Sequence, residues 1–339
     1  MTAETLFIAT IAISLIGATV SILARHHESV SKVTGCLFGA AAAVCGIGCG
    51  WLAITQTPQL VSYVTPLWFA NLTFLFNPLS GLMICLISIL ALSAQIYGLN
   101  YFDEYKDGHG LGSAGFFMNL FVAAMLCVIA ADNAFWFLVF FELMSLTSYF
   151  LVIIEQKKSS VQGGFMYMVM AHLGFFLIMI SFFTMAGITG SFEFSTFRTT
   201  RFSPAIASLV FMLCFIGFGC KAGMIPFHSW LPMAHPEAPS NVSALMSGGM
   251  IKIGIFGMVK VGVDLLQSCP VQLWWGIVVL LMGAISSVLG VVYALNEHDV
   301  KRLLAYHSVE NIGIILLGVG IGLIGMALGS VILAVIGFV

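Results

Sequence analysis

The chain has 339 residues, of which 60% are hydrophobic and 8% charged, with a mean hydropathy of +1.08 and a formal net charge of −2. A soluble domain carries about 25% charged residues, so this composition cannot clothe a water-facing surface, and it offers no basic field to hold nucleic acid. Apolar stretches of about 20 residues recur throughout, which implies an all-α polytopic protein embedded in a lipid bilayer.

Taken in order, ten spans are expected: Glu4–Ala24, Val33–Ile54, Pro78–Leu99, Ala114–Ala131, Asn133–Ile154, Val161–Ala186, Pro204–Ile225, Val242–Val263, Leu273–Leu295 and Leu303–Leu323. The opening MTAETLFIAT lacks the basic start and small-residue cleavage site of a secretory signal, so the first span is expected to be retained. Between the second and third spans, VSYVTPLWFANLTFLF alternates like a strand and predicts a hairpin packed on the outer surface. A final apolar run, VILAVIGFV, begins an eleventh helix and reaches Val339, so a C-terminally truncated chain is expected. The eight cysteines are scattered without any CxxC, which predicts packing residues rather than metal or cluster ligands.

Loop charge gives an orientation. Arg25, Lys32, Lys106, Lys157, Lys158, Lys301 and Arg302 fall on one set of loops, and only Arg198 and Arg201 on the other. The positive-inside rule then puts the first set in the cytoplasm and the N-terminus outside.

Ionisable residues deep in a bilayer are costly, so each is a candidate for function. Glu142 sits in FWFLVFFELMSLTSYFLV, too far from either end to snorkel. It is either a carboxylate that exchanges protons or partners a buried cation, or a protonated acid bonded to Ser145 or Ser148. Lys252 lies at the middle of SALMSGGMIKIGIFGMVKVG, where burial makes the neutral amine accessible near neutral pH. Lys260, two turns on, is expected to anchor at the headgroups. Lys221 either snorkels or borders an ion site, because Pro226 removes a backbone donor and breaks its helix. Weaker candidates for a proton relay are His172 within the sixth span and His307 with Glu310 in the first turns of the tenth. His228 and His235 lie beyond the break and are expected near an aqueous mouth. Sparse titratable groups in an apolar bundle suit protons or sodium ions, not sugars or drugs.

The run KAGMIPFHSWLPMAHPEAPSNVSALMSGGMIKIGIFG resembles the core of the antiporter-like membrane subunits of respiratory complex I and the Mrp antiporters. The likeness extends through FFELMSLTSYFLV and DVKRLLAYHSVENIGIILLG, together covering Phe116 to Leu323. Text at Ala114–Leu120, DNAFWF at Asp132–Phe137 and HSVENIGIILLG at His307–Gly318 is most similar to membrane subunits of group 4 nickel–iron hydrogenases, the hydrogenase-4 and formate hydrogenlyase type. Complex I relatives usually carry a Ser-His pair where this chain has Glu310 and Asn311.

The resemblance implies an antiporter-like fold with a seventh helix broken at Pro226. It divides the chain into N-terminal helices (1–112), a first five-helix repeat (113–265) and an incomplete second repeat (266–339). It further implies that Glu142 pairs with Lys221 and modulates its protonation, and that Lys252 relays protons. His172, His228, His307 and Glu310 would be auxiliary. The family's later lysine or glutamate, on the twelfth helix, has no counterpart in these residues. No cofactor or redox site is expected in this chain. A nickel–iron centre and iron–sulfur clusters would sit in soluble partner subunits, beside further membrane subunits. Three roles stay open: an ion-translocating subunit of such a complex, a non-pumping membrane anchor, and a Mrp-type cation/proton antiporter subunit.

Overall fold

The computed structural model describes residues 2–101 and 111–339. Lys106, one of the charges used for orientation, lies outside the described residues. Among those described, ten helices are long and apolar enough to cross a membrane, each within a few residues of its expected place. Two compact units are present: Met1–Gly164 with Glu237–Gly249, and Phe165–Pro236 with Met250–Val339.

In the first unit, α1 (Ala3–Leu23) begins with a reciprocal cap. The Thr2 hydroxyl accepts from the Thr5 amide at 3.3 Å, and the Thr5 hydroxyl accepts from the Thr2 amide at 3.1 Å. Next come α2 (Glu28–Thr55), the strands β1 (Gln59–Tyr63) and β2 (Leu72–Phe76), α3 (Pro78–Tyr101), α4 (Leu111–Ala130) and α5 (Ala134–Val152). The strands pair antiparallel with Val61 opposite Phe74, so the alternating stretch is the expected hairpin. It docks on the start of α1: Phe74 and Phe76 pack their rings on Phe7, and the Tyr63 hydroxyl donates to Glu4 at 2.6 Å. Burial and that carboxylate push the Tyr63 phenol up to about 12.

The sequence FVAAMLCVIAA makes α4 apolar on every side, as suits a helix surrounded by others. It packs against α1, α2, α3 and α5. At the head of α5, Asn133 accepts from the Phe135 and Trp136 amides, which satisfies two of the orphan donors of a helix start.

The second unit takes most of α6 (Lys158–Thr189), then α7 (Phe194–Thr199) and α8 (Pro204–Ala222). Pro204 at the first turn and the Ser203 hydroxyl, accepting from the Ile206 amide, start α8 in the usual way. A turn and the short α9 (Leu231–Ala234) follow. The tenth helix, α10 (Ser240–Leu245), packs on α3 in the first unit. Within the second unit, α11 (Ile251–Val259) ends in a π-helical turn, Lys260–Leu265. Then α12 (Leu273–Leu295) and α13 (Val300–Ala327) form the closest helix pair of this unit, and α14 (Val331–Phe338) folds back on α13.

Candidate functional site

The site begins where α8 stops. Gly223 caps the helix in the left-handed region at φ 74°, and its amide donates to the Gly219 carbonyl at 2.9 Å. The break therefore falls three residues before Pro226, which is exposed in the turn beyond and does not itself end the helix. A helix end inside a membrane must have its backbone groups satisfied by protein or water. Here side chains do it. The Trp230 indole donates to the Cys220 carbonyl at 2.9 Å, and the Ser286 hydroxyl of α12 accepts from the Ile225 amide at 3.1 Å. The Cys220 carbonyl and the Ile225 amide are thus tied to Trp230 and Ser286.

Lys221 is the last residue but one of α8 and is 1% exposed, which rules out snorkelling. Its Nζ donates to the Tyr167 hydroxyl at 2.7 Å and lies 5.0 Å from the centre of that ring. Tyr167 is held by Trp230, with ring centres 4.9 Å apart, and its hydroxyl contacts Met250 Sδ at 3.5 Å. One aromatic cluster thus both closes the helix end and grips the lysine. Where α8 meets α11, a Cβ at Gly254 would stand 2.8 Å from the Phe218 carbonyl oxygen, so only glycine permits this approach.

Lys252 is half-buried on α11, two residues beyond Met250. Its charge is felt by His235, which is 3% exposed and not at an aqueous mouth as expected. Burial first, and then the positive charge of Lys252, lower the His235 imidazole to about 4. Its unfolded form binds a proton near pH 6.5 and its folded form only near 4, so stability rises with pH across that window. His235→Gln is therefore expected to flatten the loss of thermal stability between pH 6.5 and 4.5, measured on the detergent-purified protein. An unchanged acid slope would show that His235 does not stay neutral in the fold.

The other expected residues are more dispersed. Glu142 lies mid-way along α5 in the first unit, with Oε2 buried. The Ser145 and Ser148 hydroxyls donate to carbonyls of their own helix, at Phe141 and Met144. His172 is five residues past Tyr167 on α6, about 140° further round, so it faces away from the Lys221 contact. Its Nδ1 donates to the Met168 carbonyl at 2.9 Å. His228 is half-buried and stacks on Tyr293 at 5.7 Å, and burial lowers its imidazole below the usual range. His307 and Glu310 pair with each other at 2.6 Å on α13. Lys260, expected at the headgroups, is buried instead. Sequence reasoning missed Tyr167, Trp230 and Ser286, which read as ordinary apolar-helix or packing residues until the turn folds onto them. Among the described residues, no three His, Cys, Asp or Glu cluster as a metal site would require.

The family model described as NADH:quinone oxidoreductase/Mrp antiporter, TM, matches residues 131–339. Hydrogenase-4 component B of Escherichia coli (strain K12) is 53% identical over 81% of this chain and 41% of its own length. Formate hydrogenlyase subunit 3 of the same organism is 30% identical over 98% of this chain and 51% of its own. The chain thus spans about half the length, or less, of these curated relatives. A chain in the structure of the Mrp complex from Dietzia sp. superposes with a TM-score of 0.78 over 96% of this chain and 36% of its own, at 21% identity, a likeness of fold alone.

Proposed function

This chain belongs to the NADH:quinone oxidoreductase/Mrp antiporter family of transmembrane proteins, and from that premise we propose that it carries protons across the membrane within a hydrogenase-type redox complex. The observation that carries this reading is Lys221: a lysine 1% exposed, at a broken helix, held by a tyrosine hydroxyl at 2.7 Å. An ammonium fixed in an apolar bundle costs several kcal/mol, and a role in packing would be met better by methionine. A group that exchanges its proton during turnover accounts for the cost.

Lys221 gives a proton through Tyr167, whose hydroxyl both accepts and donates. Water carries the proton on to Lys252, two residues beyond the Met250 that this hydroxyl touches. Neutral His235 beside Lys252 can accept a hydrogen bond from a water or an ammonium without adding a second charge. Glu142 supplies the acid that balances Lys221 in the cycle, while His172, His228, His307 and Glu310 are auxiliary. Electron transfer belongs to partner subunits, with the nickel–iron and iron–sulfur centres that the sequence resemblance implies there. The chain sits in a bacterial cytoplasmic membrane, as the resemblance implies, and the loop charges support an N-terminus on the periplasmic side.

The test is Lys252→Ala in native membranes containing the assembled complex, reading protons displaced per electron transferred. The ratio is expected to fall below about one-tenth of wild type. A normal ratio in the variant would sink the proposal. Wild-type membranes that transfer electrons yet displace no protons would make the chain an anchor.

A further inference from the structure

Eight residues beyond Lys252, about 12 Å along the helix, the chain enters the π-helical turn Lys260–Leu265. Such turns recur at functional sites. Lys260 is 5% exposed and lies over two aromatic faces, 5.3 Å from the centre of Phe194 and 5.7 Å from that of Phe256. Its ammonium is 3.8 Å from Asp264 Oδ2, longer than a tight charged hydrogen bond. Asp264 has a stronger partner. Arg198 on α7 grips it in bidentate fashion, Nε to Oδ1 at 2.7 Å and Nη2 to Oδ2 at 2.9 Å. The Arg198 carbonyl in turn accepts from the Ser268 hydroxyl. Asp264 is the member of this cluster that meets water, with a side chain 28% exposed against 14% for Arg198 and 6% for Lys260.

Arginine stays protonated in proteins, and its bidentate grip occupies both oxygens of Asp264. Lys260 is buried against rings. Of the two cations, the lysine is the one whose proton can leave. Position fits as well. Gly254 on α11 faces Phe218 and Ala222 near the Lys221 end of α8, whereas Gly262 faces Phe211, further toward its start. Passing from Lys252 to Lys260 thus moves away from Lys221 and toward the 190–203 connection.

Building on the proton-carrying role proposed above, we propose that Lys260, with Asp264 and Arg198, is a proton-exchange station at the membrane face bearing the 190–203 connection. The Lys260 ammonium releases one proton to water at the edge of Asp264 and becomes an amine. It regains one proton from the Lys252 side by way of water. Arg198 holds Asp264 in place and is a positioning residue.

The experiment compares Lys260→Arg, Lys260→Met and Lys252→Ala in native membranes with the complete complex, reading subunit abundance and protons displaced per electron. Arginine keeps the charge, the aromatic contacts and the pairing with Asp264, so Lys260→Arg is expected to assemble normally. It cannot give up its proton, so displacement should fall at least about tenfold. Lys260→Met should lose displacement to the same extent, and poor accumulation of that variant leaves Lys260→Arg decisive. Normal displacement in Lys260→Arg, with displacement lost in Lys252→Ala, would overturn the station and leave the wider function standing. Normal displacement in both would overturn the two together.

Discussion

Replacing Lys221 by methionine is expected to give a subunit about as stable as wild type that displaces almost no protons. The two halves of this result come from the same burial. Lys221 is 1% exposed, so its ammonium is held out of water, with the Tyr167 hydroxyl as its neutral partner at 2.7 Å. An apolar side chain of similar volume escapes the several kcal/mol that a buried ammonium costs. Methionine fills the lysine stem and bends to irregular gaps. Its cost is the Tyr167 hydroxyl, which loses a donor worth about 1–3 kcal/mol and keeps its contact with Met250. Set against the relief is the loss of the cation that balances Glu142, so thermal unfolding in detergent should shift little. Proton displacement per electron in the complex should fall at least about tenfold. The companion Tyr167→Phe keeps the ring on Trp230 at 4.9 Å and removes only the hydroxyl. It should assemble normally and lose part of the displacement. Wild-type displacement in Lys221→Met would end the case for Lys221 as a carrier.

The residues differed in how plainly they announced themselves. Helices were legible because about 20 apolar residues can do little else in a bilayer, and the hairpin because VSYV and LTFLF alternate with period two. Lys221 and Lys252 stood out because charge is rare here, at 8% of the chain. Contacts between distant segments were not legible. Tyr167 and Lys221 are 54 residues apart, and Arg198 and Asp264 are 66 apart. Nothing in either local pattern names the partner. Asp264 did carry one local signal, its place four residues after Lys260, where helical neighbours meet. The position of the helix break was misjudged for a physical reason. Proline is the louder breaker in a sequence, but a left-handed glycine cap ends a helix just as firmly, and Gly223 comes first.

That cap yields the largest expected loss of stability. Gly223→Val places a β-branched residue at φ 74°, a backbone region that costs of order 1–3 kcal/mol for such a side chain. The new Cβ would also stand 1.8 Å from Leu231 Cδ1, inside a fully buried side chain, and overpacking of that kind adds about 1–3 kcal/mol. A total near 2–6 kcal/mol follows if the two costs add, read as a large fall in melting temperature. The strain does not stay local. Relieving it moves Leu231, and with it Trp230, whose indole holds the Cys220 carbonyl and whose ring backs Tyr167. Proton displacement should then fall through Lys221 although neither lysine is altered. The double variant with Leu231→Ala separates the terms. Removing the leucine side chain opens space for the new Cβ, so the pair should be less harmful than the sum of the two single changes. The backbone cost at φ 74° should remain. Strict additivity would mean that Gly223 is required only for its dihedral angle, and that close packing of the turn against the helix end plays no part in holding Lys221.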